Sequence, residues 1–501
     1  MVTFKKNYLN FLAMLVMFLV LFVFFSRVHP LVIYSSDDWA NISGMRYPWP
    51  MRGIWNPIKV LPEILMPMAG YVAAYFVMPF VGDYIASITY VSAFIVAGMI
   101  TVTFYLLGQC TVKKTGLSED KAWVFGSLSC MWAFFMFKTN TSTSNYLFWT
   151  VNLTHCYNYI VPALLNMSIV LYMMMQEDFL DTYEKMASGQ KGVFVLACYL
   201  AIFSNIFHSV ILAVYVGTQI LFEFIGTLIN DNETSLKEKL VKNIRKCYVY
   251  YGIVLLWLIS LLFEASGGRA KDVGQKLGLF DRPYRKMLKD LLTSISLNKF
   301  FVIYVALIVI GVVLVCCKKR SIRFSSYLEW EKSLSSNFLC FALILIYLVL
   351  LGAQTTRGPI YMERTETQVS FWLFVLMMLS LMAGLVIKEL KFAQILFPLL
   401  LFFALCHAAD SRWHFKESVD ANINPITCKA QNDHFIEQIL AADRLGQKEM
   451  VLHIPKFGKT NWPHLPRFMP LVSRTLYLHG IITRNIKVKV KIDPEMNKII
   501  R

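Results

Sequence analysis

LPEILMPMAGYVAAYFVMPF, residues 61–80, decides the topology of this chain. It is long and apolar enough to cross a bilayer as a helix of about 20 residues. It also carries Pro62, Glu63, Pro67, Gly70 and Pro79, which suits helices lying along the interface. If the stretch crosses, every loop after it changes sides.

On either side, apolar runs of spanning length recur at 8–25, 84–109, 122–137, 158–175, 192–206, 208–226, 248–263, 299–316, 336–352, 369–387 and 392–408. With 61–80 on the surface, the short loops on the N-terminal side hold about 19 Lys and Arg in about 78 residues, against about 14 in about 106 on the opposite side. Lys and Arg bias short loops toward the cytoplasm, so the surface placement is the expectation. The N-terminus is then cytoplasmic, and the loops 26–60, 138–157, 264–298 and 353–368 share the outer face with the C-terminal tail.

Composition agrees with a membrane class. Of 501 residues, 56% are hydrophobic and 16% charged, where a soluble domain is about a quarter charged. Lys5 and Lys6 before the first run resemble a signal peptide, but the run is long and no small-x-small cleavage site follows, so it reads as a retained span. The net charge of +17 is spread over short loops, where it orients the chain and meets lipid headgroups rather than nucleic acid. Ten cysteines are present without a CxxC pair. Cys156 and Cys428, the two placed well outside the membrane, are the one pair available for a disulfide.

From about residue 409 the pattern changes. HFIEQILAADRLGQ (434–447) and RFMPLVSRTLYLHG (467–480) have helical periodicity, while EMVLHIP (449–455) and IKVKVKID (486–493) read as strands. The expected fold is an all-α polytopic membrane domain over 1–408, whose first outer loop with interfacial helices covers 26–83. A small extracytoplasmic α/β module follows over 409–501. Under 100 residues can bury only a modest core, so the module is expected to rest on the membrane part.

The first polar cluster after the first run is Ser36-Asp37-Asp38-Trp39. Ser and Asp before a helix satisfy free backbone N–H groups. A carboxylate at a membrane surface also serves as a general base, with its neighbour orienting it or binding a cation. Around the pair, Trp39, Tyr47, Trp49 and Trp55 alternate with Arg46, Arg52 and Lys59, giving stacking faces for a sugar and cations for a phosphate.

A retained first span, an acidic pair opening a large first outer loop, interfacial helices before the second span, about eleven spans and a small outer C-terminal module together resemble the GT-C superfamily of membrane glycosyltransferases. The chain is most similar to its bacterial O-antigen glucosyltransferase-like and DUF6056-like branches, by architecture over most of its length and by Ser36-Asp37-Asp38-Trp39 locally. The resemblance implies a bacterial inner-membrane enzyme of cell-envelope polysaccharide biosynthesis. Such an enzyme transfers a sugar, with inversion, from a polyprenyl-phosphate donor to a glycan or lipid acceptor on the outer face. Asp37 or Asp38 would deprotonate the acceptor hydroxyl; which of the two stays open.

Arg357 and Arg364 in TTRGPIYMERTETQ (355–368) are the candidates for the donor phosphate, since arginine forks match phosphate oxygens. Trp149, His155, Tyr157 and Asn158 in the loop 138–162, with Trp39 and Arg46, are candidates for sugar binding, although Trp and Tyr also gather at interfaces as belts. No cofactor or metal is assigned. A divalent cation beside Asp37-Asp38 fits the chemistry, but no second set of ligands is evident. Two rivals use the same surfaces: a transporter or flippase for lipid-linked sugars, and a non-enzymatic envelope assembly protein in which Asp37-Asp38 is a helix cap. Against transport, no internal repeat relates two halves.

Overall fold

The computed structural model describes residues 2–34, 36–44, 57–135, 148, 150–230, 233–266, 282–293, 299–320, 324–354, 361–410, 423–456 and 466–499. The described residues are helical almost throughout, with one two-stranded sheet among them. Among the described residues nine helices are long and apolar enough to cross a bilayer: Asn10–Val28, Val60–Val81, Tyr84–Thr115, Leu153–Met175, Ile206–Asn230, Tyr248–Ser266, Lys299–Cys317, Ser335–Gly352 and Ser370–Glu389. This is the architecture of a membrane protein, because only internally hydrogen-bonded backbone is stable in hydrocarbon. The runs expected at 192–206 and 392–408 form the shorter apolar helices Ser188–Ile202 and Ala393–His407. The run at 122–137 begins as Glu119–Phe135 and reaches the edge of the described residues.

By compactness the chain forms two units. The first comprises Met1–Thr101, Thr139–Val161 and Arg412–Arg501, the second Val102–Lys138 and Pro162–Ser411. The C-terminal segment Arg412–Arg501 shares its unit with Met1–Thr101 and Thr139–Val161.

In the first unit, the helix Val2–Val23 runs on as a π-helical turn Phe24–Val28 and stops at His29, the residue before Pro30, where helix is disfavoured. Its C-terminal half packs on the helix Tyr84–Thr115: Phe18 meets Phe94 edge-on at 5.3 Å, and the Arg27 guanidinium lies over the Tyr90 ring at 5.2 Å. The doubtful stretch 61–80 is one continuous helix, Val60–Val72 followed by a π segment Ala73–Val77 and Met78–Val81. The π segment has a cause in Pro79, whose ring crowds the carbonyl four residues back, Tyr75, and which offers no N–H. Gly82, at φ +76°, ends the helix as a left-handed cap, and its N–H donates to the Met78 carbonyl at 2.7 Å. Asp83 then caps the next helix by accepting from Ala86 N–H at 2.9 Å.

The C-terminal module is a βαβ unit. Asn424 caps the helix Pro425–Arg444, with proline at its first position. β1 (Glu449–Ile454) and β2 (Lys487–Ile492) pair in parallel, Glu449 opposite Lys487 through Ile454 opposite Ile492. Parallel pairing needs a crossover, which includes the helix Pro470–Leu478. Phe435, Ile439, Leu452, Ile454, Val472 and Leu476 are fully buried and form its core.

The middle of the continuous helix Val60–Val81 packs against this module. A Cβ on Gly70 would lie 2.7 Å from His479 Cε1 and 2.8 Å from Ile42 Cγ2, the Tyr71 and His479 rings are 4.6 Å apart, and Tyr75 donates to the Leu478 carbonyl at 3.4 Å.

In the second unit, Ile206–Asn230 packs on Tyr248–Ser266 and Phe324–Gln354, while Lys299–Arg320 packs on Tyr361–Glu389 and Ala393–Asp410. Two contacts depend on missing side chains. A Cβ on Gly311 would lie 2.5 Å from Val386 Cγ1, and one on Gly384 would lie 2.5 Å from Thr111 Cγ2, the close approach that small residues give membrane helices. Asn205 divides the apolar stretch around 205–208, its side chain capping Ile206–Asn230 by accepting from Phe207 N–H at 3.0 Å.

Candidate functional site

Asp37 and Asp38 lie in the first turn of the helix Ser36–Ser43, where the helix dipole and the free N–H groups favour carboxylates. Successive helical residues turn by about 100°, which sends the two carboxylates to different surroundings. Asp37 is exposed. Asp38 is fully buried, and each of its oxygens accepts a backbone N–H at 2.7 Å: Oδ2 from Tyr34, four residues back, and Oδ1 from Thr154.

Asp38 thus ties its own helix to the segments on either side. The backbone makes the same join, since Val32 N–H donates to the Val151 carbonyl at 3.1 Å and Val32 forms a parallel bridge with Asn152. Thr154 is fixed further by Asn41, whose side-chain amide donates to its hydroxyl at 3.1 Å, and by Asn158, which donates to its carbonyl at 3.0 Å. A buried carboxylate bonded to backbone in this way is a strut. An exposed neighbour one residue earlier keeps its oxygens open to a proton donor.

The other candidates separate. Trp39 is fully buried, its indole N–H donating to Asn432 Oδ1 at 3.2 Å and its ring stacked near Tyr84 at 6.5 Å. Its expected role as an open sugar platform is therefore corrected, because its faces and its N–H serve the joint with the C-terminal module. Tyr157 is likewise buried, its hydroxyl on Ser92 Oγ at 3.1 Å. His155 is buried with its ring edge-on to Tyr159 at 5.2 Å, and Asn158 is buried beside it. These three lie within the π-bulged start of the helix Leu153–Met175, on the chain segment that Asp38 holds. Arg46, Trp149 and Arg357 lie outside the described residues. Arg364 falls in the helix Tyr361–Glu389, and its side chain also lies outside them.

Several residues around this joint carry no motif. Asn432 donates to the Ile33 carbonyl at 2.8 Å, Tyr34 donates its hydroxyl to the Ile423 carbonyl at 2.8 Å, and Cys428 donates its thiol to the Ile33 carbonyl at 3.3 Å. Cys428 and Cys156 are both buried free thiols, so the disulfide the sequence left available is not formed. Lys429 bridges Asp83 and, at 2.6 Å, Asp433. Burial and the Asp83 charge raise the Asp433 carboxyl, while Lys429 opposes them. Only the i, i+4 spacing of Lys429 and Asp433 could have suggested this pair from sequence.

His479 closes the joint. Its Nδ1 shares a 2.6 Å hydrogen bond with the Tyr84 hydroxyl, its Nε2 is buried without a hydrogen-bond partner, and burial pushes its pKa down to about 4. The imidazole is therefore neutral near pH 7.

Among the described residues, no group of three His, Cys, Asp or Glu could hold a metal ion. Comparison with family models, with curated proteins and with solved structures finds no match for this chain.

Proposed function

We propose that this protein is a membrane glycosyltransferase of GT-C type that takes a sugar from a polyprenyl-phosphate donor and places it, with inversion, on a cell-envelope glycan or lipid acceptor. The observation that carries the reading is the division of labour in the acidic pair. Asp37 is open and serves as general base toward the acceptor hydroxyl, and Asp38 is the buried strut that sets its position. An inverting displacement requires only one base and a stabilised phosphate leaving group. Arg357 and Arg364 remain the candidates for that phosphate on sequence grounds.

The proposed topology keeps the residues 61–80 on the surface. Gly70, Tyr71 and Tyr75 pack against His479 and Leu478, and a water-facing α/β module does not reach the middle of a spanning helix. On the other side Met68, Val72, Phe76 and Phe80 are exposed at a spacing of four, the apolar stripe of a helix lying in the interface. The N-terminus is then cytoplasmic and the C-terminal module extracytoplasmic, in a bacterial inner membrane.

One observation favours a second reading. Asp38 in its buried, backbone-bonded state is what a non-enzymatic assembly protein would also contain, with the acidic pair as a helix start alone. Deleting the gene and profiling surface glycans separates the two. A transferase loses one sugar and accumulates the unextended acceptor, whereas an assembly protein changes amount or length without a missing linkage.

A further inference from the structure

The helix Leu236–Lys246 in the second unit is strongly basic, with Lys237, Lys239, Lys242, Arg245 and Lys246 against Glu238. It starts with a reciprocal cap, Glu238 N–H to Ser235 Oγ at 3.3 Å and Ser235 N–H to Glu238 Oε2 at 2.9 Å, so its first turn is fixed. Its rotation about its own axis is fixed as well. Asn243 is buried, donating to the Ile220 carbonyl at 3.5 Å and accepting from the Tyr251 hydroxyl at 2.9 Å. Lys246 pairs with Glu223 at 2.6 Å.

That rotation turns two polar residues inward and leaves the apolar ones outside. Lys239 and Asn243 are buried, while Leu236, Leu240, Val241 and Ile244 are 67%, 46%, 40% and 43% exposed. Leu236, Leu240 and Ile244 recur every four residues and form one stripe. At about 100° per residue Lys237 falls between Ile244 and Val241, and Arg245 lies just beyond Val241, while Lys242 lies nearer the buried Lys239. Packing within a soluble protein would turn the leucines inward. An apolar stripe turned outward with cations along one edge matches one environment, a bilayer surface carrying negative headgroups. The stripe continues an existing lipid-type surface, because Leu221, Ile225 and Ile229 on the adjoining helix are also exposed.

We propose that Leu236–Lys246 is a lipid-surface anchor that lies in the headgroup layer and selects anionic lipid through Lys237 and Arg245. The proposal rests on the membrane class of the chain and not on the transferase reading.

The test is hydrogen exchange of the 236–246 amides in the full chain, reconstituted in nanodiscs of phosphatidylglycerol or of phosphatidylcholine. Exchange is expected to be slower in phosphatidylglycerol. Each of Lys237→Gln and Arg245→Gln should reduce the preference for anionic lipid by up to about fivefold. Leu240→Gln with Ile244→Gln should speed exchange in both lipids, while the 248–266 amides report that the fold is intact. Equal exchange of the wild-type segment in the two lipids would overturn the proposal, and that comparison needs no variant to fold.

Discussion

Asp38 Oδ1 lies 2.7 Å from the backbone nitrogen of Thr154, 116 residues later in the chain. With the Tyr34 N–H on its other oxygen, it is the point where the segment after the first apolar helix and the start of a later helix are joined.

Substitution at the two carboxylates should therefore separate stability from activity. Asp38→Asn turns an N–H₂ toward one of two backbone N–H donors and loses charge-assisted bonds, a loss of about 2–3 kcal/mol. Asp37→Asn, at an exposed position, should stay within about 0.5 kcal/mol of wild type. Thermal unfolding of both variants in the same detergent checks the difference.

Gly70 stands where the helix Val60–Val81 meets His479. Gly70→Ala places a Cβ under 3 Å from both His479 Cε1 and Ile42 Cγ2, and overpacking of this kind costs about 1–3 kcal/mol. Limited proteolysis should cut the C-terminal module faster in the variant, with the protease sensitivity of the second unit unchanged.

Acid should loosen the same joint. The His479 pKa is about 4 in the folded protein and about 6.5 when unfolded, so between those values the unfolded state binds more protons. His479's contribution is complete above pH 6.5 and is lost as pH falls to 4, by about 3 kcal/mol in all. His479→Gln, which can still bond the Tyr84 hydroxyl, should show a smaller loss over that window in a pH series of melting temperatures.

Lys429 sits between two carboxylates that it alone neutralises among the ion pairs described there. Lys429→Met leaves Asp83 and Asp433 as like charges near each other. With the ammonium about a third exposed, solvent limits the effect to about 1 kcal/mol. The loss should shrink in Lys429→Met with Asp433→Asn, measured as a double-mutant cycle.

The membrane class was legible because twenty-residue apolar runs have few other readings, and the β1–helix–β2 order was legible because IKVKVKID and EMVLHIP alternate with helical periods. The acidic pair was visible as a pair, but its division was not. Which carboxylate is buried depends on the rotation of an eight-residue helix and on Thr154, which no local pattern links to Asp38. Trp39 misled for a related reason: a tryptophan beside carboxylates looks like a sugar platform until Asn432, from the far end of the chain, takes its N–H. His479 has no periodicity or motif to announce it, since its setting comes from Gly70, Tyr71 and Tyr84 on other elements.

The most direct measurement compares surface glycans by mass spectrometry in gene-deleted cells complemented with wild type, Asp37→Asn or Asp38→Asn, at matched amounts in the membrane. If Asp37 is the base, Asp37→Asn should lack one sugar and accumulate the unextended acceptor despite normal stability. Asp38→Asn should retain transfer in proportion to the protein that stays folded. An unchanged glycan in Asp37→Asn, in cells where the deletion itself alters the glycan, would contradict the assignment of Asp37 as catalytic base.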